Sequence, residues 1–292
     1  MTFKHGSKPP IIIIGMHRSG TTMITQMLAA CGLFVGQGEM AHEEAPFFQN
    51  INNLLLNQVG NRWDDNPDVI DFLLANKEVR AIVGDYIRYL FKTRHAISFL
   101  GWRRYFRYRD IARLDIPWGW KDPRNTLTLP VWLDIFPQAR IVHIYRHGID
   151  VANSLSSRYQ RKFKVTTRRD RFWQYWLRPK RGRFTNSKVT QISLAYNFEL
   201  WEKYMQRARY ILQTIPNEVM EIQYELFLQQ PVRELLRLVQ FCGLMPDENL
   251  IAALVERVQA GRAYSYQQDP QLCAFAAQMD DRLAVFGYTA VV

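Results

Sequence analysis

Cysteine is scarce in this chain of 292 residues: Cys31, Cys242 and Cys273 are odd in number and far apart. No Cys-x-x-Cys pair exists, which argues against a disulfide framework and a cysteine zinc site and points to a reducing, cytoplasmic setting. Long apolar runs are also missing. The longest aliphatic stretch, Ile11 to Ile14, is far shorter than the roughly 20 residues a bilayer span needs. It makes a poor signal peptide as well, because His17-Arg18-Ser19-Gly20 follows it where a small-residue cleavage site would stand. A soluble protein is expected. His17, His42, His143 and His147 show no HExxH-type spacing, so no metal is expected. Acid is nearly absent from one stretch: residues 158–188 hold twelve Lys and Arg but a single carboxylate, Asp170. That local imbalance equals the whole-chain excess of +11, leaving the remainder neutral. A localised basic segment suits an anionic partner or a solvated face better than a uniform nucleic-acid coat.

What is present is ample material for a core, with 48% apolar and 13% aromatic residues. Strand and helix patterns alternate. Pro9-Pro10 opens Ile11–Ile14, a continuous β-branched run expected to be a buried strand. A helix is expected from about Thr21 to Ala30, stopped by Cys31-Gly32. Residues 46–113 read as a mainly helical insertion. Ala139 to Tyr145 reads as a second buried strand, with a helix starting near Ile149-Asp150. A long amphipathic helix is expected over 190–213, a short strand over Val219–Tyr224, and a helix from Pro231 to Phe241, ended by Gly243. The pattern predicts a single α/β domain over 1–292: a parallel sheet flanked by helices, with a helical insertion and with ligands at the carboxyl ends of the strands.

The first strand runs directly into Gly15-Met16-His17-Arg18-Ser19-Gly20-Thr21-Thr22, which opens a helix. Glycines at this spacing let the backbone curl so that N–H groups converge, and the helix start adds partial positive charge. An NTPase loop would carry Gly-Lys-Ser/Thr at the second glycine. Thr21 occupies the place of that lysine, and the cation, Arg18, lies inside the loop. This favours a short anion with several oxygens over the β- and γ-phosphates of ATP. Further on, the strand ending at Tyr145 leads into Arg146, with Ser154 two helical turns beyond. An Arg fork with a hydroxyl fits a dianionic phosphate.

These motifs resemble the sulfotransferase family that uses 3′-phosphoadenosine 5′-phosphosulfate (PAPS), which implies an α/β fold like that of the P-loop nucleoside-triphosphate hydrolases. The resemblance implies that the loop holds the 5′-phosphosulfate through Gly15, His17, Arg18, Ser19, Gly20, Thr21 and Thr22, with Arg18 on the transferring group. It implies 3′-phosphate contacts from Arg146 and Ser154, although family members often have Pro where His147 or Gly148 falls. Tyr224, in the Tyr224-Glu225 pair, would lie by the adenine. Lys121, in Trp120-Lys121-Asp122-Pro123-Arg124, is similar to a lysine that reaches the phosphosulfate. Arg262 and Ser265 would close over the nucleotide. Sulfonyl transfer also needs a base for the acceptor proton. Glu39, His42, Glu43 and Glu44, just beyond the first helix, are the candidates, and the sequence leaves them open.

The function expected is therefore PAPS-dependent sulfonate transfer to a hydroxyl, with PAPS as co-substrate. A P-loop kinase or NTPase and a basic nucleic-acid-binding protein are the alternatives. A nucleoside kinase would want a strand-end Asp for Mg²⁺ where Arg146 stands. The basic segment 158–188 interleaves its cations with Tyr159, Phe163, Phe172, Trp173, Tyr175, Trp176 and Phe184. It reads as a lid bordering the acceptor pocket, suited to an anionic or aromatic acceptor and to acidic surfaces, with no specific nucleic acid expected. A similar mixture runs from Lys92 to Arg113.

Overall fold

The computed structural model describes residues 6–38, 44–58, 70, 74–173 and 189–288, and for residues 162–173 and 189 the backbone alone. The chain forms two compact units. One comprises Met1–Tyr145 with Lys203–Ala263, and the other Arg146–Glu202 with Tyr264–Val292.

The first unit is built on four parallel strands in the order β2-β1-β3-β4, where β1 is Ile11–Ile14, β2 Gly119–Lys121, β3 Arg140–Tyr145 and β4 Val219–Gln223. The isoleucine run takes the interior position because it has no polar side chain to expose on either face. All four residues are buried, with Ile13 opposite both Lys121 and Val142. On one face Ile11 and Ile13 pack with Ile24 and Leu28 of helix α1 (Thr21–Ala30) and with Leu235 and Leu238 of a later helix, Pro231–Phe241.

The stretch read as a helical insertion carries α2 (Pro46–Gln58), α3 (Lys77–Leu90) and α4 (Ile97–Tyr108). Phe48 of α2 stacks on Trp120 of β2, with centroids 4.0 Å apart at 7°. Trp120 in turn meets Trp132 of α5 (Asn125–Ile135) edge-on. The aromatic content is thus spent on a core that mounts β2, a three-residue strand too short to show any period of its own.

Several boundaries differ from the sequence expectation. Tyr224 is not the end of a strand: β4 stops at Gln223, and Tyr224 opens α8 (Tyr224–Gln229). The chain needs that turn at the carboxyl edge of the sheet, where the ladder ends. The Pro231 helix is α9, ending at Phe241 as expected, and α10 (Glu248–Val255) follows.

In the second unit, α6 runs from Gly148 to Trp173, so the first part of the basic segment continues a helix, and 174–188 lie outside the described residues. Helix α7 begins at Leu194, after a 3₁₀ turn over Val189–Ile192, and extends to Thr214; from Lys203 it belongs to the first unit, and up to Glu202 to the second. Two short helices, α11 (Pro270–Gln278) and α12 (Asp280–Ala284), complete this unit. All three cysteines are free, and no helix among the described residues is long and apolar enough to cross a membrane.

Candidate active site

Parallel strands deliver their carboxyl ends to one edge, so β1 releases the glycine loop beside the end of β2. The loop curls through three left-handed residues: Gly15 (φ 136°), Arg18 (φ 74°) and Gly20 (φ 89°). Side chains are also barred at both glycines. A Cβ on Gly15 would meet the Ile144 carbonyl oxygen at 2.2 Å, and one on Gly20 would meet the Tyr224 ring at 2.3 Å. Arg18 has a Cβ, so its left-handed backbone costs on the order of 1–2 kcal/mol. Strain of that kind held in place marks a functional turn.

The Gly15 amide donates to Thr126 Oγ1 at 3.1 Å, which fixes the loop entry against α5. Ser19 and Thr21 are buried, whereas Arg18 is exposed. Helix α1 starts at Gly20 with no side-chain cap and no acid in its first turn. Its leading amides and partial positive charge are therefore suited to an outside anion.

Lys121 is 2% exposed, and its Nζ lies 3.3 Å from Thr22 Oγ1. The ammonium missing from the loop itself is thereby brought in from the neighbouring strand. Glu44, the one described member of the four base candidates, sits among cations. Its oxygens lie 3.8 Å from Lys121 Nζ, 3.8 Å from His17 Nε2 and 3.4 Å from Arg124 Nη1, and it also accepts from Gln49 Nε2. Glu39, His42 and Glu43 lie outside the described residues.

Beneath this ring runs a buried polar chain that the sequence did not announce. Asp122 accepts from the Arg124 amide and from Arg124 Nη1, both at 2.9 Å, and from Asn52 Nδ2 at 2.8 Å. Burial pushes the Asp122 carboxyl above its ordinary range, against the pull of the adjacent Arg124 guanidinium. Asn52 also donates to Asn125 Oδ1 (2.8 Å) and accepts from Thr128 Oγ1 (2.8 Å) and Trp132 Nε1 (2.9 Å). Asn125 reaches back to the Ile13 carbonyl at 3.2 Å, so the chain ends on β1 just before the loop. Arg124 was visible only as the tail of the Lys-Asp-Pro segment. Asn52 had no sequence signal, because a helical Asn reads as a surface residue until its partners are known.

In the second unit Arg146 is oriented by Asp150, which is wholly buried. Asp150 accepts from Arg146 Nη2 (3.1 Å), the Ser265 amide (3.2 Å), Ser265 Oγ (2.8 Å) and the Tyr266 amide (2.8 Å). Ser265 Oγ is itself 3.4 Å from Arg146 Nη2. Ser154 is half-buried on α6. Gly148 stands where a Cβ would meet the Trp201 ring at 2.7 Å, which accounts for the absence of a bulkier residue there. Arg262 is exposed on a 3₁₀ turn, Ala260–Arg262, of the first unit, while Ser265 belongs to the second. Among the described residues no three His, Cys, Asp or Glu side chains gather as metal ligands would.

A parallel α/β sheet, a glycine loop opening a helix, and a lysine from the next strand define a P-loop-like α/β protein. Residues 9–248 match the Sulfotransferase family, and the chain belongs to it. It is 26% identical over 260 residues to an uncharacterized protein of Aquifex aeolicus (strain VF5). That match covers 85% of this chain and 27% of the relative, so the chain spans about a quarter of that curated protein's length. Among solved structures it is similar to a sulfotransferase from Alicyclobacillus acidocaldarius, with 15% identity, 98% of each chain covered and a TM-score of 0.49. It is also similar to the sulfotransferase domain of the Synechococcus PCC 7002 olefin synthase, with 17% identity, 97% and 96% of the chains covered and a TM-score of 0.47.

Proposed function

We propose that the chain transfers the sulfonate of PAPS to a hydroxyl of an anionic or aromatic acceptor. PAPS would supply an activated sulfonate and a phosphate leaving group. The observation that carries the reading is the curled loop at Gly15–Gly20 with Lys121 Nζ drawn to Thr22. It offers converging amides, hydroxyls and an ammonium to a group that gains negative charge as its bond to sulfur breaks.

In this reading the loop amides with Ser19, Thr21 and Thr22 bind the 5′ end, and Arg18 and Lys121 offset charge on the leaving oxygen. Arg146 and Ser154 take the 3′-phosphate. Tyr224, packed on Gly20, borders the adenine. Arg262 folds toward the nucleotide from its exposed turn. His17 is drawn in by its contact with Glu44. Glu44 is already ringed by Lys121, His17, Arg124 and Gln49, which supports a role in aiming the lysine. The proton acceptor then falls to Glu39, His42 or Glu43.

The NTPase alternative is disfavoured by Asp122. The acid at the end of β2 is fully engaged by Arg124 and Asn52 and is not presented to a Mg²⁺ shell. Titration calorimetry tests the choice. Tight binding of 3′-phosphoadenosine 5′-phosphate, with weak binding of ATP–Mg²⁺, is expected. Tight ATP–Mg²⁺ binding without response to the 3′-phosphorylated nucleotide would overturn the reading. Arg18→Ala should abolish turnover of PAPS.

A further inference from the structure

Helix α4 breaks at Gly101, whose φ of 71° and ψ of 164° are not helical, and resumes at Trp102. Its last two turns are fixed from the inside. Tyr105 and Tyr108 are buried, Tyr105 Oη donates to the Lys92 carbonyl at 3.4 Å, Tyr108 Oη donates to Asp115, and the Arg104 guanidinium lies 4.2 Å from the Phe34 ring centre. One helical turn apart on the outside stand Trp102 and Phe106, 61% and 57% exposed, stacked on each other at 5.9 Å. Two large rings held in water on a rigid turn form an unpartnered apolar tip.

Their surroundings are basic. From residue 92 to 115 the exposed cations are Lys92, Arg94, Arg103, Arg107, Arg109 and Arg113, against one exposed carboxylate, Asp115, which pairs with Arg107 at 3.3 Å. The partner must therefore carry negative charge at the level of the arginines and offer an apolar medium to the tip. A second copy of this chain would bring like charges together. A single-stranded nucleic acid would need an open ring face to stack on, but Phe106 is already engaged by Trp102 and by the Arg109 guanidinium, 5.0 Å from its centre. An anionic bilayer meets both requirements, with a charged headgroup layer above hydrocarbon.

We propose that the turn Trp102–Tyr108 docks the protein on anionic membrane surfaces, with Trp102 and Phe106 inserted among the headgroups and Arg103, Arg107 and Arg109 on lipid phosphates. The proposal is independent of the sulfonate-transfer reading.

The test is co-sedimentation with phosphatidylcholine vesicles, with and without about 30% phosphatidylglycerol. Wild type should bind the anionic vesicles and leave the neutral ones. Because the cations of 158–188 could add a purely electrostatic component, the deciding comparison is the variant. Trp102→Ser with Phe106→Ser should lower partitioning at least about tenfold, whereas Tyr210→Ser, removing another exposed aromatic, should not. Circular dichroism checks that the variants are folded, and Trp102→Ser alone serves if the double variant is not. Undiminished vesicle binding by the folded variant overturns the proposal. So does a wild type that ignores anionic vesicles but binds a single-stranded oligonucleotide through the same two rings.

Discussion

At the scale of single residues, the site turns on where positive charge is stored. Lys121 is buried, yet its ammonium has both a hydroxyl (Thr22) and a carboxylate (Glu44) in reach. Glu44 adds a carboxylate to the contacts that hold the ammonium beside the loop. Lys121→Met should therefore lower kcat by about 10²–10³, in line with the loss of one preorganised donor to a developing oxyanion. Glu44→Gln keeps the shape and removes the charge, and should cost about tenfold in kcat with little change in nucleotide affinity. Steady-state kinetics against nucleotide binding by calorimetry separates these outcomes. If Glu44→Gln instead removed all turnover while the variant still bound nucleotide normally, Glu44 would be the base. Lys121 was readable from its place before Asp122-Pro123, and Arg18 from its place within the loop. The company Glu44 keeps was not readable, because it depends on Arg124 and His17 arriving from different elements.

At the scale of elements, the informative strands were those with nothing to hide. Ile11–Ile14 and Arg140–Tyr145 announce burial on both faces, whereas Gly119–Lys121 becomes a strand only by pairing with β1. Helix α2 shows the opposite limit: the helical character of 46–113 was legible, but the role of Asn52 was not. Asn52 uses both amide protons and both carbonyl lone pairs on four buried partners. Asn52→Ala takes one partner from each of four groups, of which Asn125, Thr128 and Trp132 keep another in Trp120, the Arg124 carbonyl and Thr128. A loss of about 1–3 kcal/mol in urea unfolding is expected, the cost of leaving the buried Asp122 Oδ2 without its donor. Retention of full stability would show that the network closes without it.

The second unit makes a parallel case. His147 is 1% exposed, stacked on Tyr266 at 4.5 Å and edge-on to Tyr288. Burial pulls its imidazole down to about 4, with Asp150 opposing and Arg146 assisting. The unfolded chain thus takes up this proton first on acidification. The stability from a neutral His147 is whole above about pH 6.5 and drains away as the pH falls toward 4, by roughly 3 kcal/mol in all. Hydrogen-exchange protection factors, which divide out the intrinsic pH dependence, should fall across Tyr264–Tyr288 over that window in the wild type and stay flat in His147→Phe.

At the scale of the whole molecule, the question is which residues answer each end of the proposed nucleotide. The loop and Lys121 are proposed for the 5′ end, and Arg146 and Ser154 for the 3′-phosphate. Such a donor bears anions at two separate positions, and its two ends can be deleted independently. The comparison is between 3′-phosphoadenosine 5′-phosphate and adenosine 5′-monophosphate, which differ only in the 3′-phosphate. Arg146→Ala should weaken the first nucleotide by more than tenfold, the expected share of a charge-assisted fork, and leave the second within about twofold. Arg18→Ala should weaken both alike. A thermal scan offers a second readout. At about a hundredfold excess over Kd the 3′-phosphorylated nucleotide adds roughly 2.7 kcal/mol, enough to raise the midpoint by several degrees in a chain of this size. Tenfold weaker binding by Arg146→Ala should cut that shift to about half, with the shift from the monophosphate unchanged. If the variant discriminates the two nucleotides as well as wild type does, the 3′-phosphate is held elsewhere, and the assignment of Arg146 and Ser154 falls while the loop assignment stands.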